Sequence, residues 1–173
     1  MSDKKRRFGL VKKIAITFIL LVLIATGTLT IARVSGSSMR PTFRDGTFGI
    51  SLRQSSYDYG DVVLAKVTID GKEHEIIKRV MGKCGDSIKL QGSDCYINGV
   101  VSEWHFETDG DTRHTVVGDY YLLGDNRNES TDSRYFGDVS KDQIYGKYYD
   151  IASSNARIAL VCVVIFALVV IIV

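Results

Sequence analysis

Glu75 to Met81 reads Glu-Ile-Ile-Lys-Arg-Val-Met. Branched and apolar residues dominate the segment, and a strand is the element that suits them. In a strand alternate side chains share a face, so Lys78 lies between Ile76 and Val80 while Arg79 points to the other side. A lysine so placed either snorkels to solvent or is buried, and taken alone snorkelling is the commoner arrangement. Burial disfavours the charged amine. Lowering its pKa from about 10.4 to near 7–8 requires roughly three units, or about 4 kcal/mol of desolvation. Lysine tolerates this and arginine does not. His74 shares the face of Lys78, but four strand residues separate them by about 13 Å, so the two do not serve one group.

Around this segment the pattern repeats. Val62 to Val67, Ser87 to Leu90, Cys95 to Ile97, Thr115 to Val117 and Tyr120 to Leu123 are further short β-prone runs, separated by Gly and Asp. They predict a compact, mainly β domain. Asp109 to Arg113 is polar and reads as a surface loop. Cys84 and Cys95 could form a disulfide, but Gly92-Ser93-Asp94 reads as a hairpin turn that sets Cys95 opposite a residue near Leu90 instead. Cys162 lies in a separate apolar segment.

Both ends differ from the middle. Lys4, Lys5, Arg6, Arg7, Lys12 and Lys13 precede Ile14 to Ala32, 19 residues without a charge. As a helix that run is roughly 28 Å long, enough for a bilayer's hydrocarbon core. A cleaved leader has a shorter apolar region, of about 7–15 residues. The expected organisation is a basic cytoplasmic tail at 1–13, a transmembrane anchor at 14–32, an outer β domain at 34–156, and a second membrane helix at 158–173, where 16 apolar residues follow one another. Basic residues before the first span put the domain outside the cell. Between the anchors 14 Lys and Arg stand against 19 Asp and Glu, a net charge of −5, with no basic footprint for nucleic acid. The expected non-protein partner is the lipid bilayer. No metal-ligand cluster is visible, and neither a metal nor a cofactor is expected.

Gly36 to Thr42 reads GSSMRPT and holds the only proline. A serine hydroxyl needs a base, and His74, His105 and His114 are the only histidines for an ordinary triad. A neutral lysine is the other solution, which links Ser38 to Lys78. Tyr121 to Val139, YLLGDNRNESTDSRYFGDV, strings polar residues of both charges behind an apolar strand. There Ser130 could donate to an uncharged lysine nitrogen, and Asp132 with Arg134 could form an ion pair that fixes the loop. Each of these also reads as an ordinary turn. Asn128-Glu129-Ser130 matches a glycosylation sequon, a pattern frequent by chance.

The anchor, SMRPT, YGDVVLAKV (Tyr59 to Val67), IKRVMGKCGD (Ile77 to Asp86) and GDNRNESTDSR (Gly124 to Arg134), in that order, resemble the type I signal peptidases, membrane enzymes that remove signal peptides from exported proteins. The resemblance implies Ser38 as nucleophile and Lys78 as general base, with Gly36, Met39 and Pro41 shaping the site. It implies supporting roles for Asp125, Ser130, Asp132 and Arg134, Ser130 orienting the lysine. Lysine followed by arginine marks the bacterial-type branch. Some relatives carry a serine where Gly36 stands, which leaves the Ser38 N–H as the main oxyanion donor, and Cys84 stands where relatives often have proline. Larger members carry a cap domain for which this chain has no room. The resemblance further implies an acyl-enzyme, signal peptides as partners and cleavage after Ala-x-Ala, the substrate adding as a strand to a β edge. Two rivals are a self-cleaving repressor, which also pairs Ser-Met with Lys-Arg, and a non-enzymatic assembly factor on the same scaffold. The first lacks paired anchors and the second has lost the dyad.

Overall fold

The computed structural model describes residues 2–25 and 27–152. The expected helix at 158–173 lies outside the described residues. A helix, α1 (Ser2–Ala25), is followed by strands β1 (Leu29–Arg33), β2 (Phe48–Leu52), β3 (Val62–Ile69), β4 (Lys72–Lys83), β5 (Ser87–Gln91), β6 (Asp94–Ile97), β7 (Val100–Val101), β8 (Thr112–Thr115) and β9 (Tyr120–Leu123). A four-residue helix, α2 (Ser133–Phe136), and β10 (Ile144–Asp150) complete the order. The fold is mainly β, as expected.

The strands form two antiparallel sheets. One has six strands in the order β1-β2-β10-β3-β4-β9, and the other four in the order β7-β6-β5-β8. The hairpins are closed by residue pairs suited to them: Asp70-Gly71 between β3 and β4, and Asn98-Gly99 between β6 and β7, all have positive φ, as a two-residue primed turn requires. Leu90 pairs with Cys95 across the β5–β6 hairpin, and Cys84 and Cys95 are both free thiols. Thr112 and Arg113 belong to β8, paired with Leu90 and Lys89, so the expected surface loop is shorter than 109–113 and the strand starts earlier than Thr115.

Ile14 to Ala32 is not one helix. α1 ends at Ala25, and Leu29–Arg33 pairs residue for residue with β2, from Leu29↔Leu52 to Arg33↔Phe48. An apolar run satisfies a helix and a buried strand alike, and here the open edge of β2 decides in favour of the strand. The uncharged part of α1, Ile14 to Ala25, has 12 residues, about 18 Å of helix against a hydrocarbon core of about 30 Å. Among the described residues no helix is long and apolar enough to cross a membrane. The β domain therefore starts at Leu29 rather than Val34, and Ser38 lies 13 positions after the last helical residue.

Three apolar clusters hold the sheets. Val63, Ala65, Val80 and Leu122 pack with Tyr57 on one face of the larger sheet. Met81, Leu123, Ile88 and Cys95 fill the seam to the smaller one. Val34, Met39, Leu64, Ile77 and Tyr148 form a third cluster, and this one positions the site. Met39 is fully buried in it. Burying one such side chain contributes about 1.5–3 kcal/mol, enough to anchor the loop that contains Ser38.

Candidate active site

Ser38 and Lys78 meet. The Lys78 ammonium donates to Ser38 Oγ at 2.7 Å, although 40 residues separate them. The ladder of β4 with β3 sets Lys78 opposite Val63 and Ile77 opposite Leu64, so the amine leaves the strand among aliphatic groups. Lys78 is only 4% exposed. Burial is the main cause that lowers its pKa from 10.5 to about 8, assisted by Arg134 and opposed by the carboxylates of Asp132 and Asp125. An amine with that pKa is partly neutral near pH 8, and over 2.7 Å it can then accept the hydroxyl proton. His74 is exposed, at the far end of β4.

A groove of about 340 Å³ runs from this pair between β1 and β4. Ile31, Ala32 and Val34 form one wall, Ile76 and Ile77 the other, with Leu64 and Met39 below. Both strand edges are open there. β1 ends the six-stranded sheet, and β9 pairs with β4 only from Arg79 to Lys83.

The GDNR loop braces the Ser38 loop from the opposite side. Asp125 is buried and accepts from Arg79 through Nε at 2.8 Å and Nη2 at 2.6 Å, and Thr42 Oγ1 donates to the same carboxylate at 2.5 Å. Arg79 Nη1 donates to the carbonyl of Gly60 at 2.7 Å. Adjacent residues of β4 thus serve different tasks: Lys78 contacts the serine and Arg79 holds the loop partner. The Arg79–Asp125 and Thr42–Asp125 contacts were not foreseen. Their only sequence signal was a charged residue turned to the face opposite Lys78.

Asp132 and Arg134 form an ion pair, Nε to Oδ1 at 2.7 Å and Nη2 to Oδ2 at 2.8 Å. Asp132 is fully buried, caps α2 through the Arg134 N–H and accepts from the Gly124 N–H at 3.0 Å. Arg134 also donates to the carbonyls of Arg127 and Ser130, which closes the loop on itself. Ser130 does not orient Lys78 by a hydrogen bond. Its Oγ is buried without a hydrogen-bond partner among the described residues. It lies instead against Gly124, where a Cβ would stand 2.1 Å from Ser130 Oγ and 2.7 Å from the Ser38 carbonyl oxygen. Only glycine permits so close an approach.

Gly36 has φ of +84°, and its N–H donates to Asp45. Arg40-Pro41 is a cis peptide next to the buried Met39.

The family model described as signal peptidase, peptidase S26, matches residues 7–151. The chain is similar to signal peptidase IB of Staphylococcus aureus strain Mu50, 28% identical over 169 residues that cover 83% of this chain and 88% of the relative. It is equally similar to signal peptidase I V of Bacillus subtilis strain 168, 28% identical over 170 residues, covering 84% and 98%. A crystal structure of a signal peptidase I from Enterococcus faecalis V583 matches with a TM-score of 0.46 and 26% identity, over 54% of this chain and 97% of that one. Matched by the family model over most of its length, this chain belongs to the signal peptidase family, peptidase S26, as a type I enzyme and so a serine endopeptidase.

Proposed function

We propose that the chain cleaves signal peptides from exported preproteins with Ser38 as nucleophile and Lys78 as general base. The observation behind this reading is the 2.7 Å contact between Ser38 Oγ and a buried Lys78 whose pKa is lowered to about 8. Neutral Lys78 takes the Ser38 proton as Oγ attacks the scissile carbonyl. The oxyanion is met by the Ser38 N–H. Collapse of the tetrahedral intermediate transfers the proton from Lys78 to the leaving amine, which frees the mature protein and leaves an acyl-enzyme. Lys78 then activates water, and hydrolysis releases the signal peptide.

The substrate lies extended in the groove between the open edges of β1 and β4, adding main-chain hydrogen bonds as a strand does. Side chains two apart point the same way, and the aliphatic walls suit small ones, which favours Ala-x-Ala. Met39, Pro41 and Gly36 shape the loop. Asp125, Asp132 and Arg134 hold its support, and Ser130 stands beside it. The basic N-terminal segment and the apolar run after it support attachment to a bilayer with the N-terminus cytoplasmic and the β domain outside.

Ser38→Ala and Lys78→Ala each abolish cleavage of an Ala-x-Ala preprotein in a detergent assay. Wild-type cleavage by Ser38→Ala would remove the nucleophile assignment.

A further inference from the structure

Beyond the dyad, Asn126 touches both peptide units that flank the nucleophile. Its N–H donates to the Ser38 carbonyl at 2.9 Å, and its Nδ2 donates to the Ser37 carbonyl at 3.3 Å. The Ser37 C=O and the Ser38 N–H belong to one planar trans peptide, so they point in opposite directions. Holding that carbonyl fixes the direction of the N–H on the far side.

Glu129 holds Asn126 in turn. Its Oε2 accepts from Asn126 Nδ2 at 3.1 Å and from Ser37 Oγ at 2.7 Å. The arrangement is built into the backbone, since Arg127–Glu129 is a single 3-10 turn in which the Glu129 N–H donates to the Asn126 carbonyl at 3.1 Å. Residues three apart eclipse in such a turn, which sets the carboxylate over the amide.

We propose that Asn126 and Glu129 are positioning residues that aim the Ser38 N–H at the oxyanion, a role resting on the Ser38 and Lys78 reading above. An oxyanion donor acts only within a narrow range, with its nitrogen about 2.7–3.1 Å from the developing charge. The Ser37 carbonyl accepts from the Arg40 N–H at 3.0 Å within its own loop and from Asn126 Nδ2 at 3.3 Å, so Asn126 sets that direction together with Arg40, and Glu129 sets the direction of Asn126 while charge-assisting its hydrogen bond. Neither residue lines the groove beside Ser38.

The test uses the full chain in detergent with an Ala-x-Ala preprotein, together with a substrate-like peptide aldehyde and the corresponding alcohol. The aldehyde carbon bonds to Ser38 Oγ, the carbonyl π pair moves to oxygen to give an oxyanion, and the serine proton goes to Lys78. The alcohol forms no such bond. Asn126→Ala is expected to lower kcat by about 10–100-fold, short of the loss of a whole donor, with KM changed by less than about threefold. The aldehyde should weaken by the same factor as kcat while the alcohol binds as before. Glu129→Gln, which keeps an acceptor, should retain most of kcat, and Glu129→Ala should lose about fivefold to tenfold. Unchanged kcat in Asn126→Ala, or weakening of alcohol and aldehyde alike, would overturn the proposal. Should Asn126→Ala fail to fold, the exposed Glu129 decides: Glu129→Ala with wild-type kcat overturns it. Cleavage by Ser38→Ala is a separate outcome that defeats the dyad itself.

Discussion

Arg79 grips Asp125 with two parallel hydrogen bonds, at 2.8 and 2.6 Å, from the strand position directly after Lys78. Both partners are buried, so neither charge has water to fall back on. Removing one member of such a pair typically costs about 3–5 kcal/mol, and lysine does not replace a bidentate arginine. Arg79→Ala and Asp125→Ala are each expected to lower unfolding free energy by that amount in urea titrations, and Arg79→Lys to recover less than half of it. A loss below about 1 kcal/mol in both alanine variants would show the clamp to be dispensable.

The rate should follow the charge on Lys78. Its pKa stands at about 8 in the folded protein, so below that value kcat/KM rises about tenfold per pH unit and then levels. Preprotein cleavage measured from pH 6 to 10 checks this. A flat profile contradicts the lysine base.

Stability depends on the same group with a definite sign. Lys78 has pKa about 8 when folded against 10.5 for the free side chain. Between those values the unfolded chain binds more protons than the folded one, so stability rises with pH. The cost of burying the ammonium is fully present below pH 8 and gone above 10.5, on the order of 3 kcal/mol in all. Lys78→Met is therefore expected to be more stable than wild type at pH 7, with the advantage shrinking toward pH 10.5. Chemical unfolding at several pH values measures it, and an advantage independent of pH would contradict the linkage.

Gly124→Ala should damage catalysis without touching either member of the dyad. The added methyl would meet Ser130 Oγ at 2.1 Å and the Ser38 carbonyl at 2.7 Å, and the loop must shift to relieve it. Displacement of a reacting group by about 1 Å commonly costs around 100-fold in rate. The expected result is a fall in kcat of that order, and a variant within about twofold of wild type would mean that the loop yields elsewhere.

Strand alternation alone placed Lys78 among aliphatic neighbours and Arg79 opposite, and Tyr120–Leu123 is a strand with the bounds its residues suggest. Such features are local, set by the two-residue period. Leu29–Arg33 was read as helix because an apolar run has no period of its own and its partner β2 is distant in sequence. β10 was missed for the opposite reason. Ile144, Gly146 and Tyr148 alternate inward, yet Gly146 and Lys147 disguise the pattern. The approach of Lys78 to Ser38, 2.7 Å in the structure, was suggested by the ordered set of motifs and not by either residue alone, since a strand lysine by itself reads as one that snorkels to solvent. The Arg79–Asp125 clamp and the Asn126–Glu129 support were not legible, since they join residues that only tertiary packing brings together.

β1 has two attachments. Three residues separate it from the end of α1, and its outer edge walls the groove that leads to Ser38. A displacement of the helix would therefore reach one jaw of the cleft through three residues, whereas the other jaw, β4, is tied to β3 from Lys72 to Arg79.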